Sequence, residues 1–142
     1  MVRKHLYKAK TRGEKAFWVQ GSLIVGEFNK YLGYASHYIV KPKARILDII
    51  NDYIEVDCDT VCEFSGIYDI NNQPIFEGDN IDIKDCGTFT VEFINGPDFL
   101  GLNFKSLEAP PLTDANVIEF EMKVVGNIYD AKPIKKLSRR KK

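Results

Sequence analysis

The sequence predicts a mainly β fold: a complex antiparallel sheet or barrel-like system of about eight short strands, with at most one short helix. Three observations carry this expectation. Nine Phe, seven Tyr and many Ile and Val suit pleated, half-buried surfaces. Several stretches alternate apolar and polar residues with a period of two. Gly, Asn, Asp and Pro recur at short intervals, where strands must reverse. At 142 residues the chain is long enough to bury a core without disulfides or metals, and length alone argues for one domain.

The elements follow in order. Phe17 to Val25 is dense in strand formers and is interrupted by Gly21, where it can bend or bulge. Tyr34 to Val40 reads as a second strand, ended by Pro42. Lys43 to Ile54 suits a short helix as readily as a buried strand, so its type stays open. Asp57 and Asp59 flank Cys58 in a polar turn ahead of a strand from Val61 to Phe64. Ile67 to Ile75 reads as a hairpin reversal through Asp69-Ile70-Asn71-Asn72, because Asn tolerates positive φ and Pro74 is allowed where no ladder donor is needed. Gly78 offers a second reversal before the alternating run Ile81 to Lys84.

Thr88 to Ile94 sets Phe89, Val91 and Phe93 on one face, as a half-buried strand does. Asn95-Gly96-Pro97-Asp98 is a turn, and Phe99 to Phe104 returns as its partner. Ser106 to Ala115, with Pro110 and Pro111, reads as a loop. Val117 to Tyr129 alternates and is expected to be one long strand broken near Gly126.

The formal net charge of zero conceals a segregation of signs. Residues 1–15 carry +5 and residues 132–142 carry +7, which leaves −12 on residues 16–131. The chain thus reads as a basic N-terminal segment (1–15), a β-rich body (16–131) and a basic tail (132–142) expected to be mobile. Within the tail, Lys135, Lys136, Arg139, Arg140, Lys141 and Lys142 form a cationic cluster of the kind that gains affinity for nucleic acid by counterion release. The plain alternative is a solubilising terminus beside an acidic body that repels phosphate. No apolar run approaches the roughly 20 residues of a membrane helix, and no export signal opens the chain, so the expected location is the cytoplasm.

Chemistry-bearing constellations are sparse. Cys58, Cys62, Cys86 and His37 offer zinc-type ligands, but residues four apart on a strand lie roughly 13 Å apart, which favours reduced, buried thiols instead. Glu77, Asp79, Asp82 and Asp85, with Asp57 and Asp59, are the only carboxylate group dense enough for a metal-assisted hydrolase, and Asp82 lies opposite Ile81 and Ile83 on a solvent face. His5 and His37 have no nucleophile in a recognisable setting, and no phosphate- or dinucleotide-binding glycine motif is present. No catalytic residue and no cofactor is expected, and the balance lies against an enzyme. Trp18, Tyr31, Tyr34 and Tyr38 would make a stacking platform if exposed, although aromatics at this density more often pack in a core.

Phe64-Ser65-Gly66-Ile67-Tyr68-Asp69-Ile70-Asn71-Asn72-Gln73-Pro74-Ile75-Phe76-Glu77-Gly78-Asp79 resembles the hallmark segment of the YopX family. That segment runs from an aromatic residue through Thr-Gly-Leu and a polar turn to Glu-Gly-Asp. Ser65, Asn72 and Pro74 depart from the family's threonine, turn glycine and charged residue. Val124-Val125-Gly126-Asn127-Ile128-Tyr129-Asp130 resembles the family's closing Val-Ile-Gly-Asn-Ile-Tyr-Glu/Asp pattern. Trp18 to Leu23 and Asp57 to Val61 resemble two further segments, so the likeness spans about residues 16–131. The resemblance implies a phage or prophage protein of complex β fold that self-associates as a homo-oligomer and has no established activity; the leading expectation set beside it is a non-enzymatic module that binds a phage or host macromolecule through exposed strand edges or loops. The resemblance marks Gly66, Asp69, Glu77, Gly78, Asp79, Gly126, Asn127 and Tyr129 as family-motif residues, whose turn chemistry points to a structural role.

Overall fold

The computed structural model describes residues 5–41 and 53–130. Among them are ten strands: β1 (Tyr7–Lys10), β2 (Trp18–Asn29), β3 (Tyr34–Val40), β4 (Tyr53–Val56), β5 (Cys62–Tyr68), β6 (Pro74–Phe76), β7 (Asp79–Ile83), β8 (Gly87–Asn95), β9 (Leu100–Phe104) and β10 (Lys123–Asn127). One α-helix, α1 (Asp114–Glu119), and one 3-10 turn (Cys58–Thr60) accompany them. All pairings are antiparallel, in a six-stranded and a four-stranded sheet, and no barrel closes among the described residues. The mainly β expectation holds, with more strands than sequence periodicity alone resolves.

The chain divides into two compact units, with the boundary between Glu63 and Phe64. In the N-terminal unit the ladder runs β4-β3-β2-β1, and β1 also pairs with the start of β5 through Lys8 and Cys62. Alternation places Ala9, Val19, Ile39 and Val56 in a core, with Tyr7, Leu23, Ile54 and Val61 packed on it. The opposite parity of β1 carries Lys8 and Lys10, both buried, with ammonium groups 4.7 and 5.9 Å from the Trp18 ring centroid. Two of the basic residues in the first fifteen positions, Lys8 and Lys10, are therefore part of a sheet. Asp57 caps the 3-10 turn by accepting from the Asp59 N–H at 3.0 Å, and Thr60 Oγ1 accepts from Lys10 N–H at 2.9 Å, so the expected Asp57–Asp59 turn also fastens β1.

In the C-terminal unit the sheet order is β10-β7-β8-β9, preceded by the β5–β6 hairpin. Ile75, Ile81, Ile83, Val91, Phe104, Leu112, Val117 and Met122 form its core. Asn72, at φ 66°, and Gly78, at φ 85°, make the two reversals expected of them.

Two expectations are corrected. Gly21 does not break its strand: β2 passes through it and continues to Asn29, and the irregular register falls between Val25 and Phe28. Gly is required at position 21 because a Cβ there would collide with the Val40 carbonyl of β3. The long strand expected from Val117 to Tyr129 is instead α1 followed by β10. Thr113 Oγ1 accepts from the Asn116 N–H, and the Met122 N–H returns to the Val117 carbonyl around Glu121 at φ 47°. This is a capped single-turn helix closed by a Schellman bond, with Glu rather than Gly in the left-handed position. An alternating strand would put Val117 and Met122 on opposite faces, whereas this turn brings both into the core. The expected bend near Gly126 is present as a register shift between Val124 and Gly126. Of the ambiguous stretch 43–54, residues 43–52 lie outside the described residues, and Tyr53 and Ile54 open β4.

Gly21→Ala is expected to lower the unfolding free energy by about 1–3 kcal/mol or more, through the clash with Val40. Urea denaturation should show this as a lower midpoint at an unchanged m value.

Candidate interaction surfaces

The family-motif residues form two hydrogen-bonded knots, both within the C-terminal unit. Asp69 Oδ1 accepts from the Asn71 and Gln73 N–H groups at 2.9 and 2.8 Å, closing the β5–β6 turn. Its Oδ2 accepts from the Val124 N–H at 3.0 Å, and the Ile70 N–H donates to the Met122 carbonyl at 2.9 Å. The turn is thereby tied to the first half of β10.

The second knot centres on Asp79, which is fully buried. Its Oδ2 accepts from the Phe76 N–H at 2.8 Å, and its Oδ1 accepts from Asn127 Nδ2 at 2.9 Å. Asn127 Nδ2 also approaches the Glu77 carbonyl at 3.5 Å, and its Oδ1 accepts from the Tyr129 N–H at 2.9 Å. Gly78 donates to the Val91 carbonyl at 2.8 Å and accepts from the Ile128 N–H at 3.0 Å. A Cβ on Gly78 would press within 3.3 Å of Asn127 Nδ2 and Ile128 Cγ1, so the turn needs glycine for space as well as for φ. A Cβ on Gly126 would stand 3.3 Å from Asp130 Oδ2, which accepts from the Asn127 N–H. Gly66 lies at φ 89°. The Asp69 and Asp79 carboxylates thus face main-chain and amide donors, not a cleft.

The other chemical candidates are dispersed. Among the described residues the metal-ligating types that lie within 4.8 Å of one another are Asp57, Cys58 and Asp59, and Asp57 there also caps the 3-10 turn. Asp79, Asp82 and Asp85 do not assemble with one another into such a group, nor do Cys58, Cys62, Cys86 and His37. The thiols are free, and only Cys62 is buried: Cys58 is half-buried and Cys86 exposed, against the expectation of buried cysteines. Short, turn-rich surroundings put Cys86 beside Asp85, whose φ is 65°. His37 Nδ1 lies 2.8 Å from the Ala35 carbonyl. Three members of the expected aromatic platform have separate neighbours: Trp18 lies under Lys8 and Lys10, Tyr34 under Arg12 and Tyr38 edge-on to Tyr53. The cationic cluster Lys135, Lys136, Arg139, Arg140, Lys141 and Lys142 lies outside the described residues.

What each unit does display is an apolar hairpin end. In β8–β9, the pairs Val91↔Phe104 and Phe93↔Leu102 share a face, which continues to Leu100 opposite Asn95. Val91 and Phe104 are core residues, but further along the same face Phe93 is 50 % and Leu100 68 % exposed. The stripe outruns its cover. In β2–β3, Asn29 Oδ1 accepts from the Tyr31 and Leu32 N–H groups at 2.8 and 3.2 Å, and Gly33 takes φ 83°. That well-bonded turn holds out Tyr31, 88 % exposed, with Leu32 and Phe28, 67 % exposed, beside it. Of these, the sequence pattern singles out Tyr31 alone; the signal that would have found the others is apolar residues at turn positions that polar residues normally take.

The arrangement defines a class: an open antiparallel β protein of two compact units, with paired turn motifs bonded to its last strand. The chain belongs to the YopX family, whose description is YopX protein, by a match over residues 14–133. No curated protein sequence matches it. No helix among the described residues is long and apolar enough to cross a membrane.

Asp79→Ala and Asn127→Ala are each expected to cost about 1.5–3 kcal/mol, because each leaves a buried polar partner unsatisfied. The double variant should lose less than the sum, a coupling readable from equilibrium denaturation of the four proteins.

Proposed function

We propose that this chain is a non-enzymatic binding module, of phage or prophage origin, that self-associates and engages a phage or host protein in the bacterial cytoplasm. One observation carries the reading: each unit ends in an ordered hairpin that presents large apolar side chains to water. Exposed apolar surface at a well-bonded turn is costly to solubility and is the usual mark of an interaction site. The sheet edges add backbone donors and acceptors that a partner strand can pair. Family membership supports the same reading, as the resemblance implies homo-oligomers.

A second reading, a nucleic-acid-associated accessory protein, is favoured by the separation of signs along the chain. This reading uses both basic ends: Lys8 and Lys10 are buried in β1, which leaves the exposed Arg12 and Lys15 and the cations of residues 132–142 to carry it. Binding of a labelled DNA oligonucleotide through them would weaken steeply with salt, and deletion of 132–142 would flatten that dependence.

Sedimentation velocity tests the leading reading. The chain is expected to associate at micromolar concentrations, and Phe28→Glu or Leu100→Glu is expected to weaken association roughly tenfold or more while changing thermal stability little, since both sites are exposed. A chain that stays monomeric at every concentration contradicts it.

A further inference from the structure

The boundary between the units also divides the charge. Residues 64–131 hold twelve Asp and Glu against three Lys, a net −9, whereas residues 2–63 carry +2 and residues 132–142 carry +7. Two of those three lysines already face carboxylates: Lys84 is 3.1 Å from Glu121 and Lys105 is 3.3 Å from Glu92. The C-terminal unit is therefore an acidic body with little cationic surface of its own. Its apolar stripe, with Phe93 and Leu100 exposed and Leu102 half-buried against the core, lies on the β8–β9 hairpin, whose turn and following loop expose Asp98 and Glu108. β9 is also an edge strand of its sheet.

We propose that copies of this chain associate head to tail, with the basic segment 132–142 of one copy seated on the β8–β9 end of the next copy's C-terminal unit. The inference rests on the self-association reading and specifies its contact. A symmetric contact between two C-terminal units would bring two bodies of −9 together, which costs free energy at the ionic strengths where proteins usually meet. The +7 segment reverses that sign. Its Ile134 and Leu137 stand among the cations in sequence and match the apolar stripe, and an extended segment can hydrogen-bond along the side of β9 away from β8. Head-to-tail contacts of this kind use two different patches per copy and generate rings or filaments.

The test compares four samples by sedimentation velocity at about 50 and about 500 mM NaCl: wild type, a deletion of 132–142, the double reversal Asp98→Lys/Glu108→Lys, and an equimolar mixture of the two variants. Wild-type association is expected to weaken roughly tenfold or more at the higher salt, and each variant alone to be monomeric. Their mixture is expected to give a 1:1 heterodimer, because each supplies the patch the other lacks. Wild-type-like association by the deletion variant at both salts overturns the head-to-tail contact while leaving self-association intact. So does a mixture that stays monomeric. A deletion that leaves association unchanged but lowers thermal stability in a salt-dependent manner places the segment on its own body and also overturns the proposal. Monomeric wild type under all conditions instead removes the self-association reading on which it stands.

Discussion

A carboxylate buried without compensation would cost more than the net stability of most domains, and Asp79 is buried completely. It is tolerated because the Phe76 N–H and the Asn127 amide are aimed at its two oxygens. That geometry requires the β6–β7 reversal to be tight, which Gly78 permits, and it requires the end of β10 to lie against the reversal. Asp69 applies the same logic one turn earlier and takes the Val124 N–H. β10 is thus fastened near both ends by side chains about fifty residues earlier in the chain, and the register shift at Gly126 falls between the two anchors. With β10 held on β7, Val117 and Met122 can complete the core over Ile75, Ile81 and Ile83.

Much of this is legible in the amino-acid sequence. The two motif stretches, the turn residues Asn72 and Gly78, the alternation of β7 and β8, and the Asp57 turn all follow from local chemistry that survives in the fold. What local chemistry cannot express is pairing. Nothing in Tyr7-Lys8-Ala9-Lys10 marks a strand with neighbours on both sides, because its lysines are held by an indole and by ladder partners distant in sequence. Nor does alternation from Val117 to Val124 distinguish a strand from one capped helical turn whose closing residue, Glu121, lacks the usual glycine. The motif residues are legible as turn formers, but that Asp79 and Asn127 meet depends on register between β7 and β10, which sequence periodicity does not carry.

The surfaces have the opposite character to the knots. Inside the C-terminal unit, the side chains of Asp69, Asp79 and Asn127 are taken up by specific partners that hold strands in place. At the hairpin ends, apolar residues face water, and the turn hydrogen bonds of Asn29 keep Tyr31 and Leu32 out in the open. A fold that satisfies buried polar groups this fully while leaving Phe28, Tyr31 and Leu100 exposed has its unsatisfied chemistry at its tips and edges. That distribution, together with the charge of opposite sign on the two sides of the unit boundary, is what directs the functional reading toward association.

If the Asp69 and Asp79 knots hold the C-terminal unit together, they open only when that unit unfolds. Native-state amide hydrogen exchange tests this at Phe76, Val124 and Tyr129, the three N–H groups whose acceptors are the side chains of Asp79, Asp69 and Asn127. All three are expected to exchange with opening free energies matching those of core amides in β7 and β8. Exchange at these amides by local fluctuation, far faster than at the core strands, would show that the motif contacts ride on the fold and do not hold it.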